Sequence, residues 1–174
     1  MKLEFGYGTG MQTVEVPEKN LLAVLQANEM EHLRRGRSAV EYALEHPIGS
    51  KKLRELVKPG QKIVILTSDI SRPLPSYQVL PAVLGELNEA GVPDQDITVV
   101  FALGSHRKHT EEEKIRLVGE VCYNKVRCVD SDPTDCIRMG VTDKGTPVDI
   151  TRVVAEADVR ICLGNIEFHY FAGY

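Results

Sequence analysis

Ile63-Val64-Ile65-Leu66 runs through Thr67 into Ser68-Asp69-Ile70-Ser71-Arg72-Pro73, and the same change from apolar to polar recurs twice downstream. Val99-Val100-Phe101-Ala102-Leu103 leads into Gly104-Ser105-His106-Arg107, and Val159-Arg160-Ile161-Cys162-Leu163 into Gly164-Asn165-Ile166-Glu167-Phe168-His169. A short, nearly unbroken apolar run suits a strand buried on both faces, as in a parallel sheet. Neighbouring parallel strands point their carboxyl ends the same way. The three polar clusters should therefore open into one crevice and gather Asp69, Arg72, His106 and His169 from distant parts of the chain.

The segments between the runs fit that plan. Prolines 73 and 75 suit a helix start, and Tyr77, Leu80, Leu84 and Leu87 mark one helical face ending at Ala90-Gly91, with Pro81 expected to bend it. Gly91-Val92-Pro93-Asp94 returns the chain to a strand over 97–103, a spacing that suits a parallel crossover. Thr110-Glu111-Glu112-Glu113 reads as a capping box opening a helix to about residue 118, with His109 just outside it. A strand near 125–129, paired strands across 138–141 and 146–150, a short helix at 153–157 and a strand at 158–163 complete the alternation. Upstream, residues 38–44 and 50–57 have the spacing of two amphipathic helices broken at His46-Pro47-Ile48-Gly49, where His46 is read as structural. Residues 3–16 read as two strands around Tyr7-Gly8-Thr9-Gly10. Gly6-x-Gly8-x-Gly10 follows no buried strand and precedes no helix, so it marks a hairpin turn rather than a phosphate cradle. The expected fold over 1–174 is a single α/β domain, a Rossmann-like mostly parallel sheet flanked by helices with an amino-terminal β-hairpin.

Of the 174 residues 43% are hydrophobic and 26% charged, enough apolar material for a real core. A net charge of -4 and the absence of a long basic stripe argue against a nucleic-acid partner. Lys51-Lys52-Leu53-Arg54 is read as the solvated face of a short helix, and Arg34-Arg35-Gly36-Arg37 as a loop before one. No run approaches membrane-spanning length and the amino end has no signal-peptide core, so no membrane is expected and a cytoplasmic location is the default. Cys122, Cys128, Cys136 and Cys162 form no Cys-x-x-Cys pair and are read as reduced, partly buried thiols.

Among the residues able to do chemistry, Asp69 can cap exposed amides while Arg72 reaches a carboxylate or phosphate with two donors; a simple ion pair tying the loop is equally open. His106 follows Gly104 and precedes Arg107, a setting for proton transfer beside an anion or for a plain loop histidine. His106, His109 and His169 could suggest a metal site, yet Thr110 as a cap places His109 outside the helix and spoils the facing geometry. Asp130-x-Asp132-x-x-Asp135 lacks the glycine and distal glutamate of a calcium loop and reads as a solvated turn around Pro133.

Taken together, Ser68-Asp69-Ile70-Ser71-Arg72-Pro73, Gly104-Ser105-His106-Arg107 and Ile166-Glu167-Phe168-His169-Tyr170-Phe171-Ala172-Gly173-Tyr174 resemble the amino-terminal domain of the nickel-pincer lactate racemase family. Pro47-Ile48-Gly49-Ser50 and Ala155-Glu156-Ala157-Asp158 agree, so the resemblance runs from about residue 40 to the end. It implies a 2-hydroxy acid racemase or epimerase in which two histidines exchange the hydroxyl proton and a nickel-pincer nucleotide takes and returns a hydride. By position His106 and His169 look like that pair. Arg72 would hold the substrate carboxylate or an anionic part of the cofactor, Asp69 would orient the site, and Arg107 could hold an anion.

The same resemblance implies that the covalent lysine anchor, the nickel-ligand histidine and a second domain lie beyond residue 174. The chain is then expected to be the amino-terminal part of a longer two-domain protein, with no metal ligand of its own and no racemase activity alone. The alternative is a non-catalytic α/β module that binds an anionic nucleotide or metabolite through Arg72, Arg107 and helix amino ends. A metal hydrolase using His106, His109 and His169 ranks behind both.

Overall fold

The run at 63–66 becomes the middle of an all-parallel sheet in the computed structural model of the chain, which describes residues 1–26, 28, 34–72, 74–169 and 173. Two compact units result, residues 1–33 and 34–174. In the first, β1 (Lys2–Tyr7) and β2 (Gly10–Glu15) form the expected antiparallel hairpin. Gly8 takes a φ of 58° in its turn, a conformation that favours glycine and accounts for the glycine spacing.

The second unit opens with α1 (Arg37–Glu45) and α2 (Leu53–Leu56). His46 closes α1 by bonding the Tyr42 carbonyl through Nδ1 and stacking on the Tyr42 ring, the structural role expected of it. Arg54 departs from its solvated reading, because it turns inward to pair with Glu45 and with Glu86, whose side chain is only 9% exposed.

β3 (Ile63–Ser68), α3 (Ser76–Glu89) and β4 (Ile97–Ala102) form the expected strand, helix, strand unit, with Ile65 beside Val99 in parallel register. Pro75 precedes the first turn of α3, whereas Pro73 lies outside the described residues. Leu80, Leu84 and Leu87 are buried, but Tyr77, expected on the same face, is half exposed. The chain continues through α4 (Glu111–Val118), α5 (Glu120–Lys125) and β5 (Arg127–Asp130). It then makes a second hairpin of β6 (Cys136–Val141) and β7 (Pro147–Thr151), and returns through α6 (Arg152–Ala155) to β8 (Val159–Cys162). The helix α5 has no counterpart in the sequence reading.

The strand order β5-β4-β3-β8 is that of a Rossmann-like sheet. From β3 the chain winds outward to β4 and β5, then returns to the other side of β3, so the winding reverses between β3 and β8. Ile63, Ile65, Val99 and Phe101 pack against α3 in a cluster of sixteen buried apolar residues that also takes in Leu117, Val118 and Cys122. The opposite face holds four, Val64 and Val100 against Val154 and Ala157. At about 1.5–3 kcal/mol for each large side chain buried, the first face carries most of the stability of the unit.

Candidate functional site

A cleft of about 380 Å³ opens at the carboxyl end of the sheet, walled by the last residues of β3, β4 and β8. Ser68, Asp69 and Arg72 come from the first strand's loop, Gly104, Ser105 and His106 from the second's, and Cys162 and Leu163 from the third. Ser68 lies opposite Ala102, so the two loops leave the sheet side by side. Gly104 turns out of β4 with a φ of 58°; a Cβ there would meet nothing within 4 Å, so conformation and not crowding calls for glycine. Cys162 is exposed, unlike the partly buried thiol expected.

Asp69 is 5% exposed and fully engaged. Its Oδ1 accepts the Ser71 hydroxyl at 2.6 Å and the Ser71 amide at 3.3 Å, while Oδ2 faces His106 Nδ1 at 2.5 Å. Burial by itself would push this carboxyl up. The bonds from Ser71 and His106, with the charge of the imidazolium, outweigh it and hold the group below the ordinary carboxylate range. Because a carboxylate only accepts, the shared proton resides on Nδ1 and leaves Nε2 as the basic atom of a ring whose side chain is 55% exposed. A carboxylate that fixes the tautomer and supports the imidazolium is the arrangement a general acid/base needs.

Arg72 stands at the cleft, its amide closing the turn onto the Asp69 carbonyl at 3.2 Å and its Nη1 lying 3.4 Å from Glu167 Oε1. With half its side chain exposed, it keeps donors for an anion. Arg107 points elsewhere. Both its terminal nitrogens bond Glu113 at 2.7 Å, holding that carboxyl down to about 2, and Thr110 and Glu113 complete the expected capping box of α4. The anion-holding role read from sequence meets a guanidinium already committed to a helix start.

His109, weighed from sequence only as a metal ligand, has a different role. Its side chain is 1% exposed, Nδ1 lies 2.6 Å from Asp130 Oδ1, and Nε2 accepts the Ile70 amide at 3.1 Å. With both nitrogens engaged it is unavailable to a metal, which removes the hydrolase reading. Asp130, read as part of a solvated turn, instead ends β5 with its side chain only 5% exposed, accepting also from the His109 amide and from Lys114. The sequence did carry one signal: Asp130 follows a strand, as Asp69 follows its own. Among the described residues no three His, Cys, Asp or Glu side chains group as a metal site.

His169 lies in the segment after β8 and pairs main chain to main chain with Gly173, at 2.9 and 2.7 Å. It is not among the residues lining the cleft, though Glu167, two residues earlier, reaches Arg72 at its mouth. Tyr170, Phe171, Ala172 and Tyr174 of that motif lie outside the described residues.

Comparison with known proteins follows the same outline. The family model for the lactate racemase N-terminal domain matches residues 7–174. A lactate racemase of Lactiplantibacillus plantarum is 34% identical over 99% of this chain and 42% of its own length. One of Thermoanaerobacterium thermosaccharolyticum is 30% identical over 99% and 41%. The lactate racemase apoprotein structure from the latter organism superposes with a TM-score of 0.82 at 30% identity, over 98% of this chain and 40% of that one. A Thermotoga maritima protein shares the fold, with a TM-score of 0.52 at 16% identity over 72% and 31%. The chain thus spans about two fifths of the length of the racemases it matches.

Proposed function

The chain belongs to the lactate racemase N-terminal domain family, and on that premise we propose that it supplies the acid/base part of a lactate racemase-like isomerase acting on a small 2-hydroxy acid. The observation that carries the reading is the buried Asp69 carboxylate against His106 Nδ1 at the carboxyl ends of parallel strands. The remaining length of the relatives corresponds to the second domain that completes the enzyme.

Racemisation at the carbinol carbon needs a proton acceptor for either enantiomer. His106 takes the hydroxyl proton of one enantiomer at Nε2, with Asp69 stabilising the imidazolium, and gives a proton from the same atom when the reaction runs back to that enantiomer. His169 serves the opposite enantiomer, a role supported by the approach of its neighbour Glu167 to Arg72. Arg72 holds the substrate carboxylate with two donors, fixing the carbinol carbon near the imidazole.

A nickel-pincer nucleotide, when bound, supplies the hydride acceptor and donor. The guanidinium of Arg72 and the hydroxyls of Ser68 and Ser105 in the cleft fit the anionic body of such a group. The lysine and histidine that would anchor the nucleotide and its nickel are assigned to the second domain. Four free thiols suit a reducing compartment, and among the described residues no helix is long and apolar enough to cross a membrane; we place the reaction in the cytoplasm.

The test is replacement of His106 by Asn in the full-length racemase, with interconversion of the lactate enantiomers followed by chiral chromatography. The expected result is a fall in kcat of roughly 10²–10⁴-fold in both directions, the usual contribution of a positioned acid/base. Turnover within a few-fold of the parent would overturn the assignment and favour a module that only binds anions at Arg72.

A further inference from the structure

His109 lies three residues past His106, and the amide it holds belongs to Ile70, one residue past Asp69. An N–H can donate to Nε2 only if that nitrogen carries no proton, so the ring proton is on Nδ1 and is donated to Asp130 Oδ1. Asp130 is itself fixed, with Oδ2 accepting the His109 amide at 3.1 Å and Lys114 Nζ at 3.2 Å. Phe101 meets the imidazole edge to face, with centroids 5.1 Å apart. The ring is held on all these sides and its one free acceptor is spent on the loop after β3. Such a chain of buried, fully satisfied bonds specifies one arrangement of the elements it joins.

We propose that His109 is a positioning residue: kept in the Nδ1–H tautomer by Asp130, it clamps the Asp69 loop to the His106 loop through the Ile70 amide. The two loops each carry one half of the Asp69–His106 pair, and a shift of either separates a carboxylate from an imidazole now 2.5 Å apart. His109 touches no substrate in this scheme. Its effect on turnover rests on the proposed racemase reading, whereas the clamp rests on hydrogen bonds alone.

Isotope-labelled histidine in the unmodified protein, read by long-range heteronuclear NMR, should show a protonated Nδ1 and a bare Nε2 for His109. A proton on Nε2 would overturn the proposal without any variant being made. His109→Asn keeps a polar group near Asp130 but cannot reach Ile70, whereas His109→Gln places an acceptor near the position of Nε2. Hydrogen exchange at the Ile70 amide should be roughly ten-fold faster in H109N and near the parent rate in H109Q, with the amides of β3 and β4 unchanged. Equal protection in both variants would mean the bond does not hold the loop. In the full-length racemase H109N should lower kcat for lactate several-fold with KM little changed, and H109Q should restore it. Lost protection with unchanged kcat would overturn the positioning role while leaving the racemase reading intact. Absence of racemisation in the parent would instead fault that reading and leave the clamp to the NMR result.

Discussion

The loop after β4 and the segment after β8 leave the same edge of the sheet on either side of β3, and each brings a histidine, yet they are held in opposite ways. In the first, His109 is buried with both ring nitrogens bonded, Thr110 caps α4, and Arg107 grips Glu113. In the second, Ile166 is 99% and Phe168 62% exposed, and Glu167 meets Arg72 in a solvent-facing pair. Moving the first loop breaks buried bonds, each of which leaves a polar group without a partner at a cost of about 1–3 kcal/mol. Displacing a surface pair costs about 0–1 kcal/mol. The lesson is that the loop after β4 is set in place by side-chain bonds with little access to water, whereas the Arg72–Glu167 pair beside the segment after β8 is a surface contact that yields at little cost.

Four measurements bear on that contrast. The largest effect is expected from Asp69→Asn in the full-length racemase, which keeps an acceptor for His106 but removes the charge supporting the imidazolium. Turnover should fall roughly a hundred-fold with lactate KM little changed, and a fall of only a few-fold would remove the first loop's claim to special preparation. Next, Thr67→Val should cost about 1–3 kcal/mol in chemical denaturation, because the Ser76 hydroxyl, bonded to Thr67 Oγ1 at 2.6 Å and 1% exposed, loses its buried partner.

Acid should loosen the first loop through Glu113 at its end and through Asp69, which holds His106 from the loop after β3. Glu113, beside Arg107, is held at about 2 against an ordinary 4.5, and Asp69 is also lowered. Carboxyls lowered by folding add stability that is fully present above their ordinary values and is lost as pH falls through the folded ones. Denaturation midpoints should therefore drop between about 4.5 and about 2, and a flat profile there would show that these carboxylates do not stabilise the loop. The smallest effect belongs to Glu167→Gln, expected to leave stability within about 1 kcal/mol; a loss matching Thr67→Val would erase the contrast.

Much of this was legible in the sequence, and for identifiable reasons. Continuous apolar runs announced β3 and β4, because a buried strand leaves few other readings, the run broken by Arg160 announced the edge strand β8, and the polar residues after all three marked the cleft. The capping box at Thr110 announced α4 in the same local way. What stayed hidden depends on partners far along the chain. Asp130 sits in an Asp-rich stretch that looks solvated, and only the neighbouring strand's loop supplies the buried His109 that claims it. Arg54 reads as a surface cation until Glu86, thirty-two residues away, is brought against it. The helix α5 begins directly after Gly119, whose φ of 81° and usual meaning as a helix stop conceal a second start. Arg107 and Glu113 lie six apart across a helix boundary, a spacing that no helical or strand period flags.

The position of β3 between β4 and β8 also orders the molecule in time. Ile63 finds Ile97 soon after synthesis, but its other neighbour is Val159. At translation rates of about 5–20 residues per second, the stretch between His106 and Val159 takes roughly 3–11 s to emerge. Through that interval the nascent sheet shows water the open flank of its central strand, with the Asp69 and His106 loops already within reach of one another and the third wall of the cleft not yet made.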